Sequence, residues 1–124
     1  MIVGVGIDLV EVERVRALLE KYGEKFARRV FTESERAYCQ SMPEPALHFA
    51  ARFAAKEAFL KALGTGLSHG ISWQDVEIER MGNGKPAMKI HGHAAEEMQR
   101  VGATQSHVSL SHTKGHGCAV VVLE

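Results

Sequence analysis

The chain has 124 residues, a length typical of a single domain that buries about two thirds of the surface of its unfolded chain. Fifteen basic side chains balance fifteen acidic ones, so net charge gives no reason to expect a nucleic-acid partner. No apolar run approaches membrane-spanning length, the first residues lack the basic region of a signal peptide, and only two cysteines occur. We therefore expect a cytoplasmic protein without a membrane partner.

Hydrophobic periodicity predicts strands and helices along the whole chain. Apolar residues spaced by threes and fours are typical of helices, and β-branched or alternating segments are typical of strands. The predicted elements are a strand at 2–7, helices at 9–22, 24–30 and 32–40, a long helix that follows Pro45 and stops at Gly64, strands at 75–79 and 86–91, a helix at 94–101, and strands at 107–112 and 118–123. We expect one α+β domain spanning residues 1–124, with helices packed on a mostly antiparallel sheet.

The long helix carries a carboxylate in an unusual position. Glu57 shares a helical face with Phe49, Phe53, Leu60 and Gly64. A carboxylate within an apolar stripe is costly unless a cation, a metal or hydrogen-bond donors meet it there. The simpler alternative is an exposed ion pair between Glu57 and Lys61, worth a few tenths of a kcal/mol.

Asp8 is a second carboxylate with two possible roles. It follows the predicted first strand, where active-site carboxylates are often placed. Asp8 and Glu11 also have the D-x-x-E form of a capping box, so an N-cap of the next helix is the alternative role. Asp8 and Glu57 on rigid elements, with Lys61 one turn away, suit Mg²⁺ and phosphate groups.

Histidine spacing and local charge raise two further hypotheses. His112 with His116, and His91 with His93, have spacings that zinc ligands can have, but no Cys or Glu motif accompanies them. Surface or turn histidines fit this pattern better. Between Arg14 and Arg29 six basic residues face two acidic ones, which indicates either a docking surface for an acidic partner or a solvated helical face.

Four segments together resemble a known enzyme family. They are Gly4–Glu11 (GVGIDLVE), Arg52–Ala58 (RFAAKEA), Asn83–Pro86 (NGKP) and Val108–His112 (VSLSH). Over essentially its whole length the chain closely resembles the bacterial holo-(acyl-carrier-protein) synthase type of 4′-phosphopantetheinyl transferase. The resemblance implies transfer of the 4′-phosphopantetheine arm of coenzyme A to a serine of apo acyl-carrier protein. The other product would be 3′,5′-ADP, and the reaction would support fatty acid biosynthesis.

The resemblance also implies which residues act. Asp8 and Glu57 would bind Mg²⁺ together with the coenzyme A pyrophosphate, Lys61 would contact phosphate, and either Glu57 or a metal-bound water would accept the proton of the carrier serine. Coenzyme A would be held by Arg52, Lys61, Asn83, Gly84, Lys85, Pro86, Ser111 and His112. The family is homotrimeric with active sites between subunits, so residues 83–86 would face a neighbour's nucleotide.

An acidic carrier protein would explain the basic excess in the first helices. The residues expected to dock it are Arg14, Leu18, Lys21, Lys25, Phe26 and Arg28. Two competing hypotheses remain at this point: a trimeric nucleotide-binding regulator without chemistry, and a zinc-dependent hydrolase that uses the histidines.

Overall fold

The fold is built around one long helix, α4 (Pro45–Leu63). The structure is a computed structural model that describes residues 1–124. Thirteen of the 19 residues of α4 are buried, so burial extends well beyond the single apolar face that the sequence indicated. The other elements are β1 (Gly4–Glu11), α1 (Val12–Tyr22), α2 (Glu24–Val30), α3 (Glu33–Gln40), a short 3₁₀ turn (Trp73–Asp75), β2 (Val76–Arg80), β3 (Pro86–Ile90), α5 (Gly92–Arg100), β4 (Ser106–His112) and β5 (His116–Leu123).

The strands form two separate antiparallel sheets. β1, β5 and β4 lie side by side in that order, and β2 pairs only with β3. The predicted α+β class and the antiparallel pairing are confirmed, but the single sheet that we expected is divided in two. The backbone N–H of Ile78 in β2 donates to Glu35 Oε2 of α3 at 2.8 Å. This N–H is therefore satisfied by a side chain and needs no hydrogen bond to a neighbouring strand.

Three glycines, Gly4, Gly6 and Gly117, let the backbone of α4 approach the three-stranded sheet closely. A Cβ atom at Gly6 would lie 1.9 Å from the carbonyl oxygen of Ala58, and one at Gly117 would lie 2.8 Å from the backbone nitrogen of Ala51. Both separations are well below van der Waals contact, so neither position accepts a side chain unless the helix moves. β1 is thereby held in direct contact with the C-terminal half of α4.

Strand β1 continues past Asp8 to Glu11, and α1 begins only at Val12. The N-cap role considered for Asp8 is therefore wrong, since the N-cap residue is Glu11 and its side chain makes no capping hydrogen bond. Pairing with β5, in which Asp8 lies opposite Ala119, satisfies the backbone of the whole strand and outweighs the local capping pattern. Asp8 consequently lies within the strand, and its side chain contacts α4.

The other boundaries agree with the predictions to within one or two residues. Pro45 is the first residue of α4 rather than the residue before it, because proline is tolerated where the helical N–H has no partner. The predicted capping box of α3 is confirmed: the N–H of Glu35 donates to Thr32 Oγ1 at 3.3 Å, and the N–H of Thr32 donates to Glu35 Oε1 at 2.8 Å.

The outer face of the three-stranded sheet is apolar and open. On β1 the exposed side chains are Val5 (59%), Ile7 (62%) and Leu9 (65%). Opposite them in register on β5 lie the partly buried side chains of Val122, Val120 and Cys118. Contiguous exposed apolar side chains are typical of an interaction surface.

No helix is both long enough and apolar enough to cross a lipid bilayer.

A buried ion pair fastens α4 to α3 and to the β2–β3 hairpin. Lys56 Nζ lies 2.9 Å from Glu35 Oε1, and both side chains are fully buried. Lys56 also donates to the backbone oxygens of Trp73 (3.1 Å) and Val76. Burial lowers the pKa of Lys56, and the Glu35 carboxylate opposes that change. Each charged group therefore has several hydrogen-bond partners, which is the condition under which a buried pair is tolerated.

We expect Lys56→Met to lower the free energy of unfolding by about 3–5 kcal/mol, because it leaves the Glu35 carboxylate buried without a cation. Chemical denaturation followed by far-ultraviolet circular dichroism measures the change. The matched control is Lys89→Met: Lys89 is 59% exposed and lies 3.6 Å from Glu79, so its loss should cost less than about 1 kcal/mol. Equal losses in the two variants would contradict the role assigned to the buried pair.

Candidate functional site

Two carboxylates from different elements meet beside a lysine. Asp8 of β1 is 12% exposed, and its Oδ1 accepts a hydrogen bond from Lys61 Nζ of α4 at 2.8 Å. Lys61 Nζ also donates to the backbone oxygen of Ile7 at 3.1 Å. The hydrogen bond and the charge of Asp8 raise the pKa of Lys61. The simple Glu57–Lys61 ion pair does not form, because Lys61 reaches across to β1 instead.

Glu57 lies on α4 one turn before Lys61, and its side chain is partly buried. Its pKa is raised, first by burial and then by the nearby charge of Asp8, while the charges of Arg14 and Lys61 act in the opposite direction. The negative charge of Asp8 therefore acts on Glu57, and the joint role predicted for these two residues stays a prediction.

This pair of carboxylates is a fitting donor set for Mg²⁺. Mg²⁺ is usually bound through one or two carboxylates, and water and substrate phosphates fill its other positions. A cation at Asp8 and Glu57 would relieve the repulsion that raises the pKa of Glu57. No cluster of three or more His, Cys, Asp or Glu side chains in the structure could hold a metal by itself, so other ligands would come from substrate and water.

The histidines of the zinc hypothesis make separate contacts. His91 Nε2 lies 3.1 Å from Glu77 Oε1, and His93 Nδ1 lies 3.0 Å from Glu96 Oε2. His112 packs edge-on against the ring of His48. These residues belong to three different surroundings, and they form no candidate metal cluster.

An open cleft of about 530 Å³ lies next to the carboxylates. It is lined by Glu57, Leu60, Lys61, Gly64, Gly66, Leu67 and Trp73. Its lining therefore combines two charged side chains with apolar ones, which suits a ligand with charged and apolar parts.

A second cleft, of about 390 Å³, collects most of the residues assigned to coenzyme A by resemblance. This Arg52 cleft is lined by His48, Ala51, Arg52, Arg80, Gly84, Pro86, Leu110, Ser111 and His112. Of the other predicted residues, Asn83 and Lys85 belong to the turn that carries Gly84, and the Lys85 N–H donates to Asn83 Oδ1 at 2.9 Å. Lys61 does not belong here, since it lines the cleft beside Glu57.

Arg52 is the buried cation of this cleft. Only 3% of its surface is exposed, and its guanidinium lies 4.3 Å from the centroid of the Tyr38 ring. Its Nη1 donates to the backbone oxygen of His48 at 3.4 Å, whereas its Nε has no hydrogen-bond partner. A buried guanidinium with an unpartnered donor is costly, and an anion bound in the cleft would offset part of that cost.

Two ionisable residues of the Arg52 cleft, Arg80 and His48, were not predicted from the sequence. Arg80 ends β2, donates to the Gly84 backbone oxygen at 2.7 Å and lies 5.2 Å from the Tyr38 ring centroid. His48 lies one turn before Arg52 on α4, and that spacing is the only local signal that could have identified it. The pKa of His48 is lowered, first by burial and then by the charges of Arg52, His112 and Arg80.

The predicted docking residues are only partly brought together. A groove of about 480 Å³ between α1 and α2 is lined by Leu18, Tyr22, Lys25, Phe26 and Arg29, so three predicted residues share it with two that were not predicted. The other predicted residues lie outside the groove. Lys21 lies over the Tyr22 ring, and Arg28 pairs with Glu24 at 2.9 Å. Arg14 lies over the Phe53 ring, where its charge opposes the rise in the pKa of Glu57.

Comparisons with known proteins agree on one family. The family described as the 4′-phosphopantetheinyl transferase superfamily matches residues 4–121. The chain is 46% identical over 124 residues to a holo-(acyl-carrier-protein) synthase of Koribacter versatilis, covering 100% of this chain and 99% of that protein.

Solved structures show the same likeness. The holo-(acyl-carrier-protein) synthase of Neisseria meningitidis has a TM-score of 0.91 at 34% identity, with 100% of this chain and 99% of that chain covered. The enzyme of Helicobacter pylori in complex with coenzyme A has a TM-score of 0.85 at 29% identity, with 97% and 99% covered. On the family match and the full-length identity, this chain belongs to the 4′-phosphopantetheinyl transferase superfamily.

Proposed function

We propose that this protein is a holo-(acyl-carrier-protein) synthase, which transfers 4′-phosphopantetheine from coenzyme A to a serine of apo acyl-carrier protein and releases 3′,5′-ADP. The observation that carries the proposal is the pairing of Asp8 and Glu57 in a chain that also has a cleft around the buried Arg52. Proteins of this name align with the chain along its full length. The reaction would serve fatty acid biosynthesis.

The proposal assigns Mg²⁺ to the pair of carboxylates, which fit it as donors. When bound, Mg²⁺ supplies positive charge to the coenzyme A pyrophosphate and so favours departure of 3′,5′-ADP. Lys61, held beside Asp8, adds a second positive charge next to the transferred phosphoryl group.

Glu57 is the proposed acceptor of the carrier serine's proton. A general base must lie within hydrogen-bond reach of the proton that it accepts, and Glu57 is the carboxylate that lines the open cleft. A carboxylate has two oxygens, so binding the metal and accepting a proton are compatible on one side chain. Lys61 favours the ionised form of Glu57 and keeps it able to accept that proton.

Coenzyme A carries two anionic groups, a pyrophosphate and a 3′-phosphate, and we assign them to different places. The pyrophosphate belongs at Asp8, Glu57 and Lys61. The 3′-phosphate belongs in the Arg52 cleft, where the Arg52 Nε lacks a partner. There Arg52, His112 and Ser111 would contact it, and the turn at 83–86 would border the nucleotide.

We assign the carrier protein to the groove between α1 and α2. Lys25 and Arg29 provide positive charge there, and Leu18, Tyr22 and Phe26 provide apolar surface, a combination that suits an acidic helical partner. Arg14 would lie between this groove and Glu57, at the path of the carrier serine.

We further propose that the protein works as a homotrimer with active sites between subunits. Two observations support this. The cleft beside Glu57 and the Arg52 cleft share no lining residue, so one substrate molecule would meet them more easily on two neighbouring subunits. The open apolar face of β1 and β5 offers a surface for self-association. The location that we propose is the cytoplasm, which suits two unpaired cysteines.

The transfer itself is the first test. We expect mass spectrometry to show a phosphopantetheine mass gain on an apo carrier protein incubated with coenzyme A, Mg²⁺ and this protein. Asp8→Asn and Glu57→Gln should each reduce the rate at least about 100-fold, because each removes a proposed metal ligand. Glu96→Gln is the matched control, since this carboxylate is 73% exposed on α5.

The outcomes separate the competing hypotheses. If a competent carrier protein gains no mass, the proposed transferase activity is wrong. A regulator without chemistry would bind coenzyme A but never consume it. Full activity of either Asp8→Asn or Glu57→Gln would remove that residue from the proposed metal site.

The docking groove makes a separate kinetic prediction. Lys25→Glu should raise the KM for the carrier protein several-fold, to about tenfold, and leave the KM for coenzyme A unchanged, because Lys25 lines the groove and not either cleft. Steady-state kinetics with each substrate varied in turn measures both values. Lys89→Glu, an exposed lysine of β3, is the matched control. A parallel rise of both KM values in Lys25→Glu would rule out the groove as the carrier site.

The oligomer is tested by mass in solution. Sedimentation equilibrium should give three times the mass of one chain, and Ile7→Glu should lower that mass, since it places a charge in the exposed apolar face of β1. The same variant should lose transfer activity while it still contains the secondary structure seen by circular dichroism. A wild-type protein that sediments as a monomer and is fully active would contradict the shared active site.

A further inference from the structure

Among the residues of the Arg52 cleft that have no role in the proposed function, His48 is the one whose type of side chain titrates nearest to neutral pH. Its ring lies 5.8 Å from the Tyr38 ring of α3 and 5.7 Å from the His112 ring of β4, measured between centroids. Arg52 on its own helix and Arg80 at the end of β2 complete its charged surroundings. All of the charged groups that face His48 are therefore cationic or can become so, apart from the Tyr38 phenol.

The empty cleft favours the neutral imidazole. Burial lowers the pKa of His48, and the positive charges of Arg52, His112 and Arg80 lower it further. At pH 7.5, above the ordinary histidine value of about 6.5, His48 is therefore uncharged before a ligand arrives. A phosphate group bound beside Arg52 would reverse this balance, because two negative charges would outweigh the repulsion from the neighbouring cations.

We propose that His48 is a further phosphate-binding residue, which takes up a proton when the 3′-phosphate of coenzyme A enters the Arg52 cleft and so helps the protein to select a phosphomonoester. The inference rests on the proposed function, because it takes coenzyme A as the ligand. Its geometric basis is the contact of His48 with His112, the shared cleft and the unpartnered Nε of the buried Arg52 one turn away.

The sign of the pH dependence follows from this order of events. The ligand raises the pKa of His48, so binding is strongest where the bound protein holds the extra proton, and it weakens as the pH rises through the pKa of the bound state. Each unit by which the phosphate raises that pKa strengthens binding by about tenfold at low pH relative to high pH. The phosphate itself has a second pKa of about 6, so measurements at pH 7.5 keep its own proton release small.

Calorimetry in two buffers tests the inference directly. We expect the enthalpy of coenzyme A binding to the full-length protein with Mg²⁺ at pH 7.5 to differ between phosphate-free buffers of low and high ionisation enthalpy. When the complex takes up a proton, the buffer must release one, so the observed binding enthalpy should be more positive in the buffer of higher ionisation enthalpy. The difference should disappear in His48→Gln, and it should also disappear with coenzyme A that lacks the 3′-phosphate. His93→Gln, whose histidine is 60% exposed beside Glu96, is the matched control and should keep the uptake.

A second measurement follows His48 in the wild-type protein and uses the variant only to assign its signal. Proton nuclear magnetic resonance of the wild-type imidazole C–H signals should show the pKa of His48 rising when coenzyme A is added, with the signal assigned by its absence in His48→Gln. His112→Gln should weaken coenzyme A binding and still show uptake.

Each other outcome overturns the inference. If coenzyme A binds with the same enthalpy in both buffers, or if uptake survives in His48→Gln and is lost in His112→Gln, His48 does not take the proton, while the proposed function stands. If coenzyme A does not bind to the protein at all, the proposed function and the inference both fail.

Discussion

The architecture depends on the fully buried contact between Lys56 and Glu35. It joins α4 to α3, and through the backbone oxygens of Trp73 and Val76 it also joins α4 to the β2–β3 hairpin. Charges in an apolar interior are tolerated only with several well-placed partners, so this pair permits few orientations of α4 about its own axis. Glu57 is the next residue along and points about 100° away on the helix. The contact that orients Lys56 inward therefore also directs Glu57 toward β1.

On the opposite side of α4, glycines of the sheet determine how closely the helix and the sheet approach. Gly6 and Gly117 allow the sheet to lie directly on the helix backbone, which brings Asp8 within reach of Lys61. A larger residue at either glycine would push the sheet outward and separate the carboxylates. One helix thus presents ionisable groups to two different surfaces. Near the C-terminal end of α4, Glu57 and Lys61 lie beside β1. Nearer the N-terminal end of α4, Arg52 and His48 lie beside β4.

Sequence patterns predict what is local and miss what depends on distant partners. The elements and the capping box of α3 could be predicted, because spacing and composition lie within short segments. The joint role of Asp8 and Glu57 stays a prediction that rests on family motifs. The length of β1 could not, since it depends on pairing with a strand more than 100 residues away. The division of the strands into two sheets is a distant effect of the same kind. His48 and Arg80 belong to no common motif, and only the folded chain brings them to one cleft.

Trp73 combines several of these features in one side chain. It is the only tryptophan, its backbone oxygen is held by Lys56, its ring packs 5.2 Å from that of Phe53, and it lines the cleft beside Glu57. The indole therefore lies where a bound ligand would change its surroundings, while its backbone is anchored in the interior. The protein consequently has a built-in fluorophore, whose emission can report the arrival of a substrate beside Glu57 without any added label.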